Sequence, residues 1–176
     1  WSQSTPGILE SEAMGEDQLN DTTAGLSGTP YNAWYTCPRD TRKVCVLDPY
    51  IEEINDKQVL MTSIAFPLEQ NGKVIGVLGV DISLESLQQL STQANQELYD
   101  GQGHVSIVSP AGLLAGHSRD ASLLGKSITE GYPEQGRELA ALVASAQTQF
   151  VEHNDMLRVL QPVQLIPEAK PWGVVL

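Results

Sequence analysis

Residues 58–87, QVLMTSIAFPLEQNGKVIGVLGVDISLESL, change their pattern twice. The apolar, β-branched runs at 58–68 and 73–82 predict two strands, and the intervening EQNG supplies Asn71 and Gly72 for the positive φ angles of a tight hairpin turn. From Ser83 the period lengthens: Leu84, Leu87, Ala94 and Leu98 form one stripe, and Ser83 is a helix N-cap, so a helix is predicted to about Tyr99. Period-two segments then return at 104–109 (HVSIVS) and in LLAGHS, on either side of a turn at 110–112. A short helical segment near DASLLGK and a longer helix at 133–147 follow, and FVEHN, MLRVLQPVQL and PWGVVL read as strands. Upstream, the aromatic YNAWYTC (31–37) reads as extended and VCVLDPY (44–50) answers it across a turn, giving a further hairpin. Residues 2–30 lack a sustained period and read as loops with short strands or turns.

AFPLEQNGKVIGVLGV and LQPVQLIPEAKPWGVVL share a plan: a strand ending in proline and an apolar residue, a turn, then an apolar strand containing Gly-Val. Two such hairpins on either side of a helix suggest two α+β modules built on antiparallel sheets. With 176 residues the chain can bury a real core, and one domain or two small modules are both allowed.

Charge narrows the partners. Twenty-two acidic residues against ten basic ones give a net charge of −12, which disfavours nucleic acid and anionic membrane surfaces. An acidic surface suits small cationic ligands and also serves solubility. Cys37 and Cys45 sit in CPRDTRKVC between two predicted strands. As a bridged hairpin they imply an oxidising compartment such as the periplasm; unpaired, they are two small apolar residues. No CxxC and no nearby histidine cluster supports zinc. No apolar run approaches the roughly 18–20 residues of a membrane span. Both ends read as cut, so the chain is expected to be the extramembrane part of a longer protein.

Catalytic signatures are absent from the sequence. There is no GxSxG elbow and no glycine-rich phosphate loop, and His104, His117 and His153 lie far apart and read as surface or strand-end residues. No catalytic residue, metal or cofactor is therefore assigned, and binding is the stronger class. Tyr31, Trp34, Tyr35 and Tyr50 crowd together in sequence, with Asp48, Glu52 and Asp81 nearby or at a strand end. Aromatic faces with carboxylates make a site for an organic ammonium, through cation–π attraction of roughly 0.5–2 kcal/mol per ring and charge-assisted hydrogen bonds. The alternative is that the rings fill the core of a small sheet.

The order WY, PY, VLMTSIAFPLEQNGKVIGVLGVDISLESLQQL, GHVSIVSPAGLLAGHS, LLGKSI and PWGVVL resembles the double Cache (dCache) extracytoplasmic sensor domain of bacterial methyl-accepting chemotaxis proteins, over nearly the whole chain. The resemblance implies an α+β fold of two PAS-like Cache modules in tandem, each an antiparallel sheet flanked by helices. It places a membrane-distal module at 1–82, a connecting helix at 83–99 and a membrane-proximal module at 100–176, the family's long N-terminal helix being absent. It implies a periplasmic ligand-binding domain of an inner-membrane receptor, homodimeric in the full-length protein, with a cytoplasmic signalling domain in the same polypeptide. Its ligand would be a small molecule: an amine, an amino acid or a small organic acid.

Carried over by position, the family's Trp-Tyr pair falls on Trp34 and Tyr35, its Tyr-x-Asp element on Tyr50 and Glu52, and its strand-end aspartate on Asp81; Tyr31 adds a further ring. Where amino acid-sensing members carry an arginine two residues before the tryptophan, this chain has Asn32. An amide brings no charge to clamp an α-carboxylate, which tilts the expected ligand toward biogenic amines, polyamines or a quaternary ammonium. Arg39, Arg42 or Lys57 would restore anion binding. An arginine at position 32 is expected to shift preference toward α-amino acids. The rival readings are the ectodomain of a sensor histidine kinase or diguanylate cyclase, a Cache sensor for small carboxylates, an adhesion or scaffold module and, more remotely, a small hydrolase.

Overall fold

The computed structural model describes residues 15–54, 56–153 and 156–176; the first part of the region read as loops lies outside them. After a short helix α1 (Glu16–Leu19) and turns come helix α2 (Ala33–Thr41) and strands β1 (Cys45–Val46), β2 (Tyr50–Ile54), β3 (Lys57–Gln70) and β4 (Lys73–Ser83). Helix α3 (Leu84–Tyr99) leads to β5 (Ser106–Val108), β6 (Leu114–His117), a 3-10 turn, α4 (Ile128–Gly131), α5 (Gly136–Ser145), β7 (Gln149–His153), β8 (Met156–Val163) and β9 (Trp172–Val175). Among the described residues, no helix is long and apolar enough to cross a membrane.

The strands form two antiparallel sheets. In the first, long β3 is central: β1 and β2 pair with it along one edge and β4 along the other. Asn71 and Gly72, at φ 51° and 73°, make the two-residue turn between β3 and β4. A bulge between Leu68 and Glu69 then shifts the register, so that Ser63 faces Asp81 and Ala65 faces Gly79. The second sheet runs β6-β5-β9-β8-β7, and its main core gathers Val108, Leu114, Ile128, Leu139, Leu160 and Val175.

Helix α3 begins where the sequence places it, with Ser83 Oγ accepting the Ser86 N–H. It lies directly on β6: a Cβ on Gly116 would meet the Leu87 carbonyl oxygen at 2.9 Å, so only glycine fits there. A cluster around Leu84, Ala115 and Trp172, with Val46 and Leu60 from the first sheet, joins the two sheets, and the Ala111 N–H donates to Asp48 across the junction.

The expected strand at 31–37 is instead helical. Asn32 caps α2 through its carbonyl oxygen, which accepts the N–H groups of Tyr35 and Thr36, and Arg42 ends the helix in the left-handed region. Local β-propensity loses to packing: as a helix the segment buries Ala33 and Pro38 and lays Trp34 and Cys37 against Cys45 and Leu47. Pro38, which falls in the turn expected between 31–37 and 44–50, lies inside the helix. Cys37 and Cys45 are joined, their Cα atoms 6.3 Å apart, so the disulfide ties a helix to a strand and not one hairpin arm to another.

His104 and His117, read as lying far apart at the surface or at strand ends, in fact meet, although His117 does end β6. Pairing of β5 with β6 brings their Nε2 atoms to 2.8 Å, His117 is buried, and both rings lie against Tyr132, whose hydroxyl is 2.8 Å from Ser106 Oγ.

Candidate functional site

The register of the first sheet assembles the site. On a pleated strand, alternate residues share a face. Tyr50 and Glu52 on β2, Ser63 on β3 and Gly79 and Asp81 on β4 accordingly line one cavity of about 270 Å³, closed by Trp34 from α2, Tyr31 before it and Gln18 from α1. The turn between β3 and β4 and the bulge at Leu68 and Glu69 together set which residues meet, and α2 supplies the aromatic wall.

Each carboxylate is held by internal hydroxyls. Tyr31 Oη donates to Glu52 Oε2 at 2.5 Å. Ser63 Oγ donates to Asp81 Oδ1 at 2.5 Å and lies 2.6 Å from Tyr50 Oη. A serine hydroxyl has one proton, so once Ser63 gives it to Asp81 it can only accept from Tyr50. The chain Tyr50→Ser63→Asp81 therefore has a single direction. Burial, with the Glu52 hydrogen bond and charge, pushes the Tyr31 phenol far above its ordinary value; burial foremost, opposed by the Ser63 hydrogen bond and reinforced by the Asp81 and Glu52 charges, raises Tyr50 as well. Both stay protonated at physiological pH, so Tyr31 donates to Glu52 directly and Tyr50 supports Asp81 through Ser63. The two rings meet edge to face, centroids 6.5 Å apart.

Of the residues singled out in the sequence, Tyr31, Trp34, Tyr50, Glu52 and Asp81 line this cavity, while Asn32 and Tyr35 do not. Asn32 is buried, 6% exposed, and its amide donates to the Leu19 carbonyl oxygen, tying α1 to the start of α2. Tyr35 tilts against Trp34 on one side and carries the Arg39 guanidinium 5.1 Å from its ring centre on the other. Asp48 is used at the junction between the sheets. Ser63, Gly79 and Gln18 join the site without having been singled out.

Among the described residues, no lining residue is basic. Arg39 pairs with Asp40 at 2.6 Å, Arg42 with Glu69 at 3.0 Å, and Lys57 is exposed at the start of β3. The cavity thus presents two carboxylates and ring faces, with its three hydroxyls already committed and only the neutral N–H groups of Gln18 and Trp34 as further donors. An adjoining, more apolar cavity of about 340 Å³ shares Tyr31 and Tyr50 as a wall and adds Leu26, Pro30, Leu47 and Ile51. Among the described residues, no group of three or more His, Cys, Asp or Glu is placed to hold a metal ion.

Comparison with known proteins bears on the same region. The family model described as methyl-accepting chemotaxis protein-like, first PDC sensor domain, matches residues 13–89. The chain is 58% identical, over all of its 176 residues, to the methyl-accepting chemotaxis protein TlpQ of Pseudomonas aeruginosa, and spans 25% of that protein's length. Two solved structures share the fold. One is the ligand-binding domain of the Pseudomonas aeruginosa amino acid chemoreceptor PctC in complex with GABA: TM-score 0.61, 24% identity, covering 94% of this chain and 65% of that one. The other is the ligand-binding domain of the Pseudomonas fluorescens chemoreceptor CtaA with L-valine: TM-score 0.57, 26% identity, covering 81% and 57%.

Proposed function

This chain belongs to the double Cache sensor domains of methyl-accepting chemotaxis proteins, a non-enzymatic ligand-binding family, and on that premise we propose that it is the periplasmic sensor of an inner-membrane chemoreceptor whose ligand is an organic amine. The single observation carrying the ligand class is the donor and acceptor balance of the cavity. Tyr31, Tyr50 and Ser63 all spend their hydroxyl protons on Glu52, Asp81 or each other, and among the described residues no base lines the walls.

An ammonium supplies charged donors to the two acids, while Trp34 and the two tyrosine rings offer faces to it. A carboxylate entering the same space meets two others and no counter-ion. The relative CtaA was crystallised with L-valine, which carries both groups; here the ammonium half has charged partners, and the carboxylate half meets only the neutral N–H donors of Gln18 and Trp34. Glu52, Asp81, Trp34, Tyr31 and Tyr50 are the proposed ligand residues.

In this reading residues 1–82 form the membrane-distal module with the pocket, 83–99 the connecting helix and 100–176 the membrane-proximal module. The chain spans about a quarter of the length of the receptor it resembles, and the whole receptor would be a dimer with its signalling domain in the cytoplasm. Signal transfer requires the ligand to bind two states of the sensor unequally, because equal affinity shifts no population. A thermal-shift screen over amines, α-amino acids and short organic acids tests the proposal. Amines should raise the melting temperature and acids lacking an amine should leave it unchanged; the reverse pattern would overturn it.

A further inference from the structure

Ser63 stands between the two strands that carry the ligand acids, on the central strand of the sheet, and is 1% exposed. Its proton goes to Asp81 Oδ1 and its lone pair receives the Tyr50 proton. Among the described residues nothing bonds to Asp81 Oδ2, nor to Glu52 Oε1, the oxygen that Tyr31 leaves unused. Each acid of the cavity therefore has one oxygen held from within the protein and one left over.

A carboxylate whose two oxygens were both free would turn to meet any cation. One that is pinned at Oδ1 through a buried serine, itself held by a tyrosine, has a set orientation, and its remaining oxygen is a directional acceptor. We propose that Ser63 is a positioning residue that holds Asp81 so that the site reads N–H bonds and not charge alone, and therefore takes a primary ammonium in preference to a fully N-methylated one. This rests on the amine reading of the same cavity. A primary ammonium has three N–H donors for the two unused oxygens; a quaternary ammonium has none, and leaves both carboxylates stripped of water without a hydrogen bond in return. The aromatic faces serve both cations alike, so discrimination falls to the acids and to the serine that orients one of them.

The experiment is calorimetric titration of the chain with propylamine and with propyltrimethylammonium, for wild type, Ser63→Ala and Ser63→Cys. Cysteine keeps a group on Cβ, larger than the hydroxyl, with a much weaker donor, so it carries the test if alanine disturbs the strand. Wild type should prefer propylamine at least tenfold, and both variants should cut that preference to threefold or less. If the variants weaken both probes in parallel, or leave the ratio unchanged, Ser63 is a structural residue and the inference falls. If wild type binds the two probes equally well, the amine reading stands and the inference falls. If wild type binds neither at millimolar concentration, the amine reading itself is overturned, and the inference with it.

Discussion

Protonation of the His104–His117 pair should loosen the second sheet in mild acid. His117 Nδ1 accepts the Asp120 N–H at 3.1 Å, so the neutral ring carries its proton on Nε2 and donates it to His104 Nε2, 2.8 Å away. A proton added to His104 at that nitrogen would set two N–H groups face to face. The groups around the pair give little relief: Tyr132 stacks on His104, Arg158 sits 4.9 Å from the Tyr132 ring centre, Arg119 lies two residues after His117, and only Asp120 and a backbone hydrogen bond favour charge on His117. Burial first, then the neighbouring His117 and the arginines, pull His104 down to about 4 from its ordinary 6.5, and burial lowers His117 too.

The sign follows from linkage. Above pH 6.5 neither folded nor unfolded chain is charged at these rings and stability is undiminished; below it the unfolded chain takes up protons that the folded one refuses until about pH 4, so stability is lost as pH falls through that window. For His104 alone the full shift is worth about 2 kcal/mol at pH 5. Solvent reaching the half-buried ring screens this to about 1 kcal/mol, or a fall in melting temperature of about 2–4 °C for a chain of this size. Melting curves at pH 7.5 and 5.0 for wild type and His104→Phe, which keeps a ring against Tyr132, check it. The wild-type fall should exceed the variant's by that amount; equal falls would refute the reasoning.

Three further outcomes are expected. A Cβ on Gly79 meets nothing within 4 Å, so Gly79→Val should keep or raise the melting temperature while its side chain fills the cavity that Gly79 lines and weakens amine binding at least tenfold by calorimetry, a contrast about 1.4 kcal/mol deep. Asn32→Arg should destabilise the fold by about 1–3 kcal/mol in urea titration, because it buries a guanidinium where an amide bonds Leu19, and should not create α-amino acid binding; a stable variant that binds them would show position 32 to belong to the pocket. Replacing Cys37 and Cys45 together by alanine removes a bridge across a sequence separation of 8 residues and should cost about 2–3 kcal/mol in the same assay, on the chain-entropy relation.

The hairpin of β3 and β4 and helix α3 were legible because their signals are local: a two-residue turn, an unbroken apolar run, a serine cap. The acids and rings of the cavity were legible through the family resemblance, which marks Tyr50, Glu52 and Asp81 by position. Ser63 was not. Perfect pairing from the Asn71–Gly72 turn sets Asp81 opposite Thr62, and only the bulge at Leu68 and Glu69 moves it to Ser63. Helix α2 was misread because Trp34, Tyr35 and Thr36 favour strands, and what overrides them is contact with Cys45 and Leu47, residues outside the segment. Asn32 was assigned to the pocket from its place before Trp34, but the turn that starts α2 directs its amide to Leu19 instead. The histidine pair was hidden for the same reason as Ser63: thirteen positions separate its members, and pairing between strands joins them.

Titrating wild type and Asp81→Ala with propylamine puts the central claim to its most direct test. Truncating the acid would leave the ammonium unpaired and Ser63 without its acceptor, so affinity should drop by about 2 kcal/mol or more, roughly thirtyfold, in a variant that still melts cooperatively. Unchanged affinity in that folded variant would contradict the claim that this acid receives the ligand.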